Sequence, residues 1–347
     1  MAKLKVQPKK KATFNKRNNF VVVTVVAILI VVALAAFQIN SSKKPAKDKD
    51  DDTSTGPPKT GSWTVDKEVI IEGKELVLDG NLTVLSGGNL RLQNSTLKVG
   101  SSDMTAIYVS SGGALHLSGT ALQFEASPTP YILQAAEGSV LEIIKSQVPF
   151  EVLINASGTK IENNLFSGKF AGLHIVSSSN SIHSNIIKGT DNPRMDAAIT
   201  VENGTKNTIS QNVVSGYGLG ILLDRSSNNT IEHNNISATT STGSGGAGFQ
   251  FVRSYDNEVS YNEFTKCSVA LNMIGSSSNK FHHNNFLDNT KQVQDDATNK
   301  FDDGSSGNFW SDYKGFDLNK DGKGDVPYVI GLSDRDNHPF MKLVPRP

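Results

Sequence analysis

The sequence predicts an all-β fold, a parallel β-helix of stacked coils, because two short phrases recur along its second half. The pattern Asn-x-apolar-x-x-Asn-x-apolar occurs five times, as at residues 180–187 and 279–286, and residues 161–166 match its tail. A second phrase, small-apolar-x-apolar, precedes the first apolar residue of each of the five copies by 10 or 11 residues, as at 172–175. A repeat of about 22 residues is typical of solenoids, in which each unit buries its apolar face against its neighbours.

The residue types within each unit favour short strands joined by turns. Apolar residues come in pairs separated by one residue, which is strand periodicity, and Ser, Asn, Gly and Thr between them favour turns. In a stack, each strand pairs with its counterpart about 4.8 Å away in the next coil, and turn Asn side chains can form hydrogen-bonded ladders. A leucine-rich repeat has a similar period, but it needs Leu-x-x-Leu-x-Leu spacing and helix formers on its return side, which this sequence lacks.

The N-terminal half repeats more loosely, and we interpret it as the first coils of the same solenoid. Three apolar pairs begin 25 residues apart, the first at Gly88. The β-helix is therefore predicted over residues 63–300, with its entry and cap at 63–78, since an open solenoid end would expose unpaired strand edges. Residues 301–347 are predicted to form a C-terminal cap.

The first part of the chain predicts a membrane anchor and a tether. Residues 1–19 carry seven cations and no acid. Residues 20–39 include eighteen consecutive uncharged residues, which as a helix of about 27 Å would cross a bilayer core. The positive-inside rule then places the N-terminus in the cytoplasm and the repeats outside the cell, joined by a flexible polar linker at 40–62. The alternative is a cleaved signal peptide, since residues 33–35 resemble a cleavage site.

Composition excludes some partners and leaves others open. The chain has 34 basic and 34 acidic residues, so the part beyond the basic N-terminal segment carries a net charge of −7. Phosphate contacts need clustered cations, and we therefore expect no nucleic-acid partner. Cys267 is the only cysteine, which excludes an intrachain disulfide and a cysteine metal cluster. Seven Asn-x-Ser/Thr sequons would allow an exported domain to be a glycoprotein.

One local motif near the C-terminus predicts a structural calcium ion. Side-chain oxygens fall at positions 1, 3, 5 and 9 of the stretch 317–325, with Gly at position 6 and a main-chain carbonyl at position 7, as in the first part of an EF-hand loop. Position 12 is Tyr328, so the usual bidentate carboxylate is missing. It could come from a distance, from Asp312, Asp334 or Asp336. The predicted ligands are Asp317, Asn319, Asp321, Lys323 and Asp325, and the alternative is an ordinary Asp/Gly turn.

Polar residues on one face and at one corner of the predicted coils suggest a binding groove. The middle residues of the small-apolar-x-apolar phrase point outward, and two longer coils insert loops at 188–196 and 238–246 on either side of Tyr217. We expect a shallow groove for sugar hydroxyls, with Tyr217 as a stacking platform. Its other predicted members are His174, Gln250 and Asn272 on the face, and Asp191, Arg194 and Asp196 at the edge. The alternative, favoured by Leu222 in the same row, is a solvated surface.

Two function classes follow from these features. The first is a non-catalytic cell-surface module that binds a glycan or acts in adhesion, by self-association or with an envelope partner. The second is a polysaccharide lyase or glycoside hydrolase, which needs carboxylates placed around a sugar. The carboxylates that the repeats bring to one region are Asp191, Asp196, Glu202 and Asp224. Their separation cannot be derived from the sequence, so catalysis stays open.

The repeats and the C-terminal segment resemble NosD-like and CASH-domain proteins, in particular archaeal surface proteins. The resemblance covers residues 63–347 and rests on the Asn phrases together with Gly-Asn-Phe-Trp-Ser-Asp-Tyr at 307–313, Val-Pro-Tyr-Val-Ile at 326–330 and Asp-Asn-His-Pro at 336–339. It implies a single-stranded right-handed parallel β-helix, an extracytoplasmic location and, often, carbohydrate binding or cleavage. From the family's namesake it also implies an accessory role for a membrane-associated enzyme, linked to copper-site assembly.

Copper is not carried over from this resemblance, because no cluster of His, Met and Cys shows copper-ligand spacing. His282 and His283 are adjacent, and adjacent side chains on a strand point to opposite faces. We therefore expect that they do not share one ion and that His282, with His183 and His233, belongs to a stacked surface column.

Overall fold

Three parallel sheets make up the described part of the chain, which confirms the predicted parallel β-helix. The expected basic segment 1–19, the anchor 20–39 and most of the linker 40–62 lie outside that part. Within it, no helix is long and apolar enough to cross a membrane. The computed structural model describes residues 56–99, 106–124, 132–168, 170–189, 197–237, 246–331 and 334–345.

Successive coils contribute one strand to each of the three sheets, and every pair of neighbours within a sheet is parallel. Sheet A contains β1 (Trp63–Val65), β4 (Leu82–Val84), β7 (Ala106–Val109), β10 (Ile132–Ala135), β13 (Glu151–Ile154), β16 (Gly172–Ile175), β19 (Ala197–Glu202), β22 (Leu219–Asp224), β25 (Ala247–Val252), β28 (Val269–Ile274) and β31 (Lys291–Gln294). Sheet B contains β2 (Glu68–Glu72), β5 (Asn89–Gln93), β8 (Ala114–Ser118), β11 (Val140–Ile144), β14 (Lys160–Glu162), β17 (Ser181–His183), β20 (Thr208–Ser210), β23 (Thr230–Glu232), β26 (Glu258–Ser260) and β29 (Lys280–His282). Sheet C contains β3 (Glu75–Leu78), β6 (Thr96–Val99), β9 (Ala121–Phe124), β12 (Gln147–Val148), β15 (Leu165–Ser167), β18 (Ile186–Lys188), β21 (Val213–Ser215), β24 (Asn235–Ser237), β27 (Glu263–Thr265), β30 (Asn285–Leu287) and β32 (Phe309–Trp310). A separate antiparallel hairpin of β33 (Tyr328–Ile330) and β34 (Asp334–Asp336) belongs to the C-terminal cap.

Columns of apolar side chains fill the interior, one residue from each coil. On sheet B the register places fully buried residues directly over one another, namely Ile182, Ile209, Ile231, Val259 and Phe281. These are the first apolar residues of the five Asn phrases, so the sequence period is the period of the core. Burying such a column removes apolar surface from water, which is the main force that holds the coils together.

Toward the C-terminal end the interior column of sheet C becomes aromatic. Phe264 stacks on Phe286 with ring centroids 5.0 Å apart, and Phe286 stacks on Trp310 at 4.2 Å. Trp310 in turn stacks on Tyr328 of the cap at 4.4 Å. Each aromatic pair adds about 0.5–1.5 kcal/mol to the burial of its surface, so this column fixes the cap to the last coils.

Two ladders of buried Asn side chains run along the turns, as the sequence predicts. Asn234, for example, donates both its main-chain N–H and its Nδ2 to Oδ1 of Asn262, each at 2.9 Å. The same Nδ2 donates to the carbonyl of Ile209 at 2.8 Å, so one side chain satisfies groups of three coils. The first ladder consists of Asn164, Asn185, Asn212, Asn234, Asn262, Asn284 and Asn308, and the second of Asn180, Asn207, Asn229, Asn257, Asn279 and Asn299.

The residue before each Asn of the first ladder, from Asn164 to Asn284, turns the chain with a left-handed backbone. The φ angle is 55° at Gln211, 57° at His233, 56° at Tyr261 and 57° at His283. Side chains other than Gly adopt this conformation only where the surroundings impose it. Strand alternation ends at this residue, so its side chain does not have to point away from the one before it.

Two buried carboxylates end the ladders inside the cap. Asp334 Oδ2 accepts the N–H of Asn299, and Asp336 Oδ2 accepts the N–H of Asn308, both at 2.7 Å. Each carboxylate therefore takes the place of the Asn of a further coil. Asp336 also accepts the Nε1–H of Trp310 at 2.9 Å. Burial raises the pKa of Asp336 to about 6, although these N–H groups act in the opposite direction.

The raised pKa of Asp336 predicts that the free energy of unfolding falls as the pH rises from about 4 to about 6. The unfolded chain releases the Asp336 proton near the ordinary pKa of 3.8, whereas the folded protein keeps it until about 6. The folded state binds more protons in this window, so unfolding becomes easier as they are removed. A shift of about two pKa units changes the free energy of unfolding by at most about 3 kcal/mol.

Melting temperatures of the wild type and of Asp336→Asn, measured from about pH 3.5 to about pH 7, test this expectation. The wild type should lose stability relative to the variant up to about pH 6, and the difference should then level off. Other titrating groups are common to both proteins and cancel in the difference. A difference that is constant with pH would contradict a raised pKa for Asp336.

Candidate functional site

The outer face of sheet A carries the residues predicted to line a groove. The register places one residue of each coil in a single half-buried column, in the order His174, Thr200, Leu222, Gln250 and Asn272. Asn272 Nδ2 donates to Gln250 Oε1 at 3.5 Å. Asn272 Oδ1 is buried and has no hydrogen-bond partner within the described ranges. The column is a shallow polar strip interrupted by one leucine.

Glu202 and Asp224 lie side by side in the next outward column and are part of an ion-pair network. Glu202 Oε2 lies 3.2 Å from Nε2 of His174, and Arg225 contacts both carboxylates. The hydrogen bond from His174 is the main reason why the pKa of Glu202 lies below its ordinary value. Arg253 approaches Asp224 to 3.3 Å. Both carboxylates are therefore neutralised by cations, which disfavours a role for either as a general acid.

Tyr217 does not form the stacking platform that the sequence suggested. Its side chain is 5% exposed, and its OH donates to the carbonyl of Ala171 at 2.6 Å. A Cβ added at Gly189 would collide first with the main-chain carbonyl of Gly216 and would also come within 3.2 Å of Tyr217 Cδ2, so the absence of a side chain there leaves room for the adjacent coil and for the inward ring. The remaining predicted edge residues, Asp191, Arg194 and Asp196, lie outside the described residues.

The predicted calcium ligands lie together on one turn at the surface of the cap. Asp317 Oδ2 accepts the N–H of Gly322 at 2.9 Å, and Asp325 Oδ2 accepts the N–H of Leu318 at 2.6 Å. Gly322 has a φ of 87°, which the tight turn requires. The five predicted members, all exposed or half-buried, are Asp317, Asn319, Asp321, Lys323 and Asp325.

The three distant carboxylates considered as a further ligand are engaged elsewhere. Asp334 and Asp336 end the Asn ladders inside the cap. Asp312 accepts the OH of Tyr328 at 3.1 and 3.2 Å. An ion at this turn would therefore depend on the turn itself and on water.

A different cluster, which sequence reasoning missed, lies at a corner near the C-terminal end of the solenoid. Nδ1 of His282 lies 2.8 Å from Nδ1 of His283, and Asp303 Oδ2 lies 4.0 Å from Nδ1 of His283. One ligand atom from each of the three residues lies within 4.8 Å of the other two. We call His282, His283 and Asp303 the corner site.

The expectation that His282 and His283 point apart is wrong because the strand ends between them. His282 is the last residue of β29 and is buried, whereas His283 has the left-handed φ of 57° found at the equivalent corners. The turn brings the second imidazole against the first, with their ring planes at 85°. Two neighbours in sequence can therefore serve one site.

Neighbouring groups fix the state of the two imidazoles. Glu258 Oε1 lies 3.0 Å from Nε2 of His282, so Nε2 carries the proton and the Nδ1 lone pair faces the corner site. Nδ1–H of His283 then donates to that lone pair. Burial and the neighbouring His282 lower the pKa of His283, which favours a neutral ring at neutral pH.

Asp303 comes from the loop after β31 and is held as a carboxylate. Its Oδ1 accepts the N–H and the OH of Ser305, each at 2.8 Å, and the N–H of Ser306 at 2.7 Å. Although burial raises it, these hydrogen bonds hold the pKa of Asp303 well below its ordinary value. Two imidazoles and one carboxylate form a donor set that binds divalent transition metals.

Comparison with known proteins identifies the family. Residues 99–315 match the family model described as "Periplasmic copper-binding protein (NosD)". Two curated relatives, from Stutzerimonas stutzeri and Pseudomonas aeruginosa, are each described as "Probable ABC transporter binding protein NosD". They are 34% and 31% identical to this chain over alignments that cover 31% of it and 28% of each relative. The chain therefore spans less than a third of the length of these relatives.

Two solved structures resemble the solenoid. The periplasmic alginate epimerase AlgG has a TM-score of 0.46 and 15% identity, with 63% of this chain and 65% of that chain covered. The enzymatically active domain of tailspike protein 2 from bacteriophage CBA120 has a TM-score of 0.30 and 8% identity, with 72% and 43% covered.

The family match confirms the resemblance to NosD-like proteins over residues 99–315. Its description as periplasmic agrees with the predicted extracytoplasmic position of the repeats. The family model matches more than half of the residues of this chain. The chain therefore belongs to the NosD family, which is described as periplasmic copper-binding proteins.

Proposed function

We propose that this protein is an extracytoplasmic accessory protein that binds a copper ion at the corner site and holds it for a partner at the membrane. The 2.8 Å separation between Nδ1 of His282 and Nδ1 of His283 carries this proposal. The family's description as copper-binding agrees with it, and so does the description of the two relatives as ABC transporter binding proteins.

The donors of the corner site fit divalent copper. Imidazole suits copper, and tetragonal sites of nitrogen and oxygen are typical of Cu(II). Imidazole nitrogens bind such ions at about 2.0 Å, so two of them at a right angle would lie about 2.8 Å apart. In the structure this separation is that of the hydrogen bond between the two Nδ1 atoms, so both rings would have to turn their lone pairs toward a common ion.

The residues of the corner site and their neighbour Glu258 would have different roles in copper binding. His282 and His283 would hold the ion through Nδ1, and His283 first has to change to its other neutral tautomer, losing the proton at Nδ1 and taking one up at Nε2, because His binds metals through an unprotonated nitrogen. Glu258 keeps His282 Nδ1 free by accepting the hydrogen bond from Nε2. Asp303 contributes the negative charge that offsets part of the charge of the ion. Copper is cargo in this proposal.

Titration of the full-length protein with Cu(II) tests the proposal. We expect one ion to bind per chain in competition with a chelator, and the electron paramagnetic resonance spectrum to be tetragonal with splitting from two nitrogens. Zinc should bind more weakly, as the general order of divalent affinities requires. A lack of saturable binding, or a spectrum without nitrogen splitting, would contradict copper binding at this site.

Glu258→Gln is expected to weaken copper binding by about tenfold, the lower end of the effect of losing a ligand's hydrogen-bond partner. The neutral amide favours the Nε2-protonated ring less than the carboxylate does. Glu232→Gln, on the preceding coil of sheet B, is the matched control and should bind as the wild type does. Equal affinity of both variants would show that Glu258 does not set the state of His282.

Glycan binding on the outer face of sheet A is a second candidate function. Its support is the half-buried polar column on this face, which contains His174, Gln250 and Asn272. Unchanged retention of the double variant Gln250→Ala, Asn272→Ala on a glycan array would discard the idea. Polysaccharide cleavage has less support, because Glu202 and Asp224 are paired with Arg225.

The predicted anchor at 20–39 and linker at 40–62 complete the proposed arrangement. They would hold the solenoid on the outer side of the membrane, close to a membrane partner, with residues 1–19 inside. Protease added to intact cells should then remove the solenoid and leave the basic segment protected. Release of the whole protein into the medium would favour a cleaved signal peptide.

The turn at 317–325 is proposed to bind calcium in a structural role. Its side-chain oxygens are gathered on one turn, and Gly324 N–H donates to the carbonyl of Pro339 at 2.8 Å, which joins the turn to the rest of the cap. Calcium should raise the melting temperature and a chelator should lower it, because a ligand of the folded state stabilises that state. Asp321→Ala should remove the difference.

A further inference from the structure

The His283 ring packs against two aromatic rings that belong to different parts of the molecule. The ring centroid of Tyr261, one coil earlier, is 4.8 Å from that of His283, and the two planes differ by 24°. The ring of Phe340, in the cap, lies at 5.3 Å on a plane tilted by 54°. Only 18% of the His283 side chain is exposed as a result.

The position of Tyr261 follows from the coil geometry. Tyr261 and His283 occupy equivalent left-handed corners, at φ angles of 56° and 57°, so their side chains leave the solenoid in the same direction one strand spacing apart. His233 continues the column in the other direction, 4.9 Å from Tyr261. Gln211 occupies the same kind of corner in another coil, so the position does not itself require an aromatic residue.

Phe340 reaches the corner because the end of the chain folds back onto the last coils. Its N–H donates to the carbonyl of Asn308 at 2.9 Å, and its main chain forms bridges to Phe309 and to Lys323. The backbone of Phe340 is therefore held from two sides, and its ring is placed against His283.

We infer that Tyr261 and Phe340 form an aromatic clamp that positions His283 as a metal ligand. This inference rests on the proposed copper-binding function. The two rings restrict rotation of the imidazole and keep its Nδ1 edge turned toward His282. A ligand that is already oriented loses less conformational freedom on binding, so the clamp raises affinity without contacting the ion.

Tyr261→Gln tests the clamp, because glutamine stands at the equivalent corner in Gln211 and should preserve the fold. We expect this variant to bind Cu(II) about tenfold more weakly. Tyr261→Phe keeps the ring and should restore wild-type affinity. Phe340→Leu should weaken binding by about threefold, since a leucine still covers part of the ring. His233→Gln removes the far end of the column and should leave binding unchanged.

Nuclear magnetic resonance of the metal-free protein separates the clamp from the copper proposal. In Tyr261→Gln the order parameter of the His283 ring should fall below about 0.6, whereas it should stay high in the wild type and in Tyr261→Phe. A His283 ring that is equally ordered in Tyr261→Gln would overturn the clamp, whatever the copper affinity. If ordering is lost in the variant but the wild type binds no copper, the clamp stands as a positioning device and the copper function fails.

Discussion

His283→Asn is expected to weaken Cu(II) binding by about 100-fold or more, which corresponds to about 3 kcal/mol. The substitution removes one of the two nitrogens of the corner site and leaves one imidazole and one carboxylate, His282 and Asp303, to hold the ion. Asparagine tolerates the left-handed backbone that this corner requires, so the fold should be kept. Competition with a chelator of known affinity, followed by the visible absorption of the bound ion, measures the change.

His233→Asn is the matched control for this prediction. His233 occupies the equivalent left-handed corner two coils earlier, with a φ of 57°, and among the described residues it belongs to no group of three His, Cys, Asp or Glu side chains that could hold a metal ion. It should therefore bind copper as the wild type does. Equal losses in His233→Asn and His283→Asn would indicate scattered surface binding. No loss in either variant would place the copper elsewhere in the chain.

The corner site shows why the fold was predictable from the sequence and this site was not. Strand alternation separates His282 from His283, and that rule fails at the single residue where the backbone turns left-handed. The repeat itself marks the position of this turn. In every phrase, the residue before the second of its two Asn residues adopts the left-handed backbone. Asp303 gave no such signal, because it comes from a loop beyond the last complete phrase.

Tyr217 illustrates a second limit of the sequence. Its place at a corner between two longer coils suggested exposure, but whether a corner ring turns outward depends on the space left by the neighbouring coil. Gly189 leaves that space, and the ring turns inward. The core was easier to predict, because each buried position is repeated in every coil and the register superimposes the copies. A corner side chain occurs once and has no copies to average over.

Asn262→Ala is expected to cause the largest loss of stability, about 3–5 kcal/mol. Its Oδ1 accepts two hydrogen bonds from Asn234, and its Nδ2 donates to the carbonyl of Ile231 at 2.8 Å and to Oδ1 of Asn284 at 3.1 Å. Alanine removes all of these and leaves buried polar groups in the coils above and below without these partners. Each such group costs about 1–3 kcal/mol. Chemical denaturation measures the change.

Asn235→Ala provides the comparison for this prediction, because Asn235 has the same side chain on the half-buried outer face of sheet C. It should change stability by no more than about 0.5 kcal/mol, as surface substitutions usually do. In a solenoid each coil contacts only its neighbours, so a break in the middle of a ladder should also uncouple the two halves and broaden the transition. If Asn262→Ala unfolds as sharply and as late as Asn235→Ala, the apolar columns alone hold the coils together and the ladders serve only to set the register of the turns.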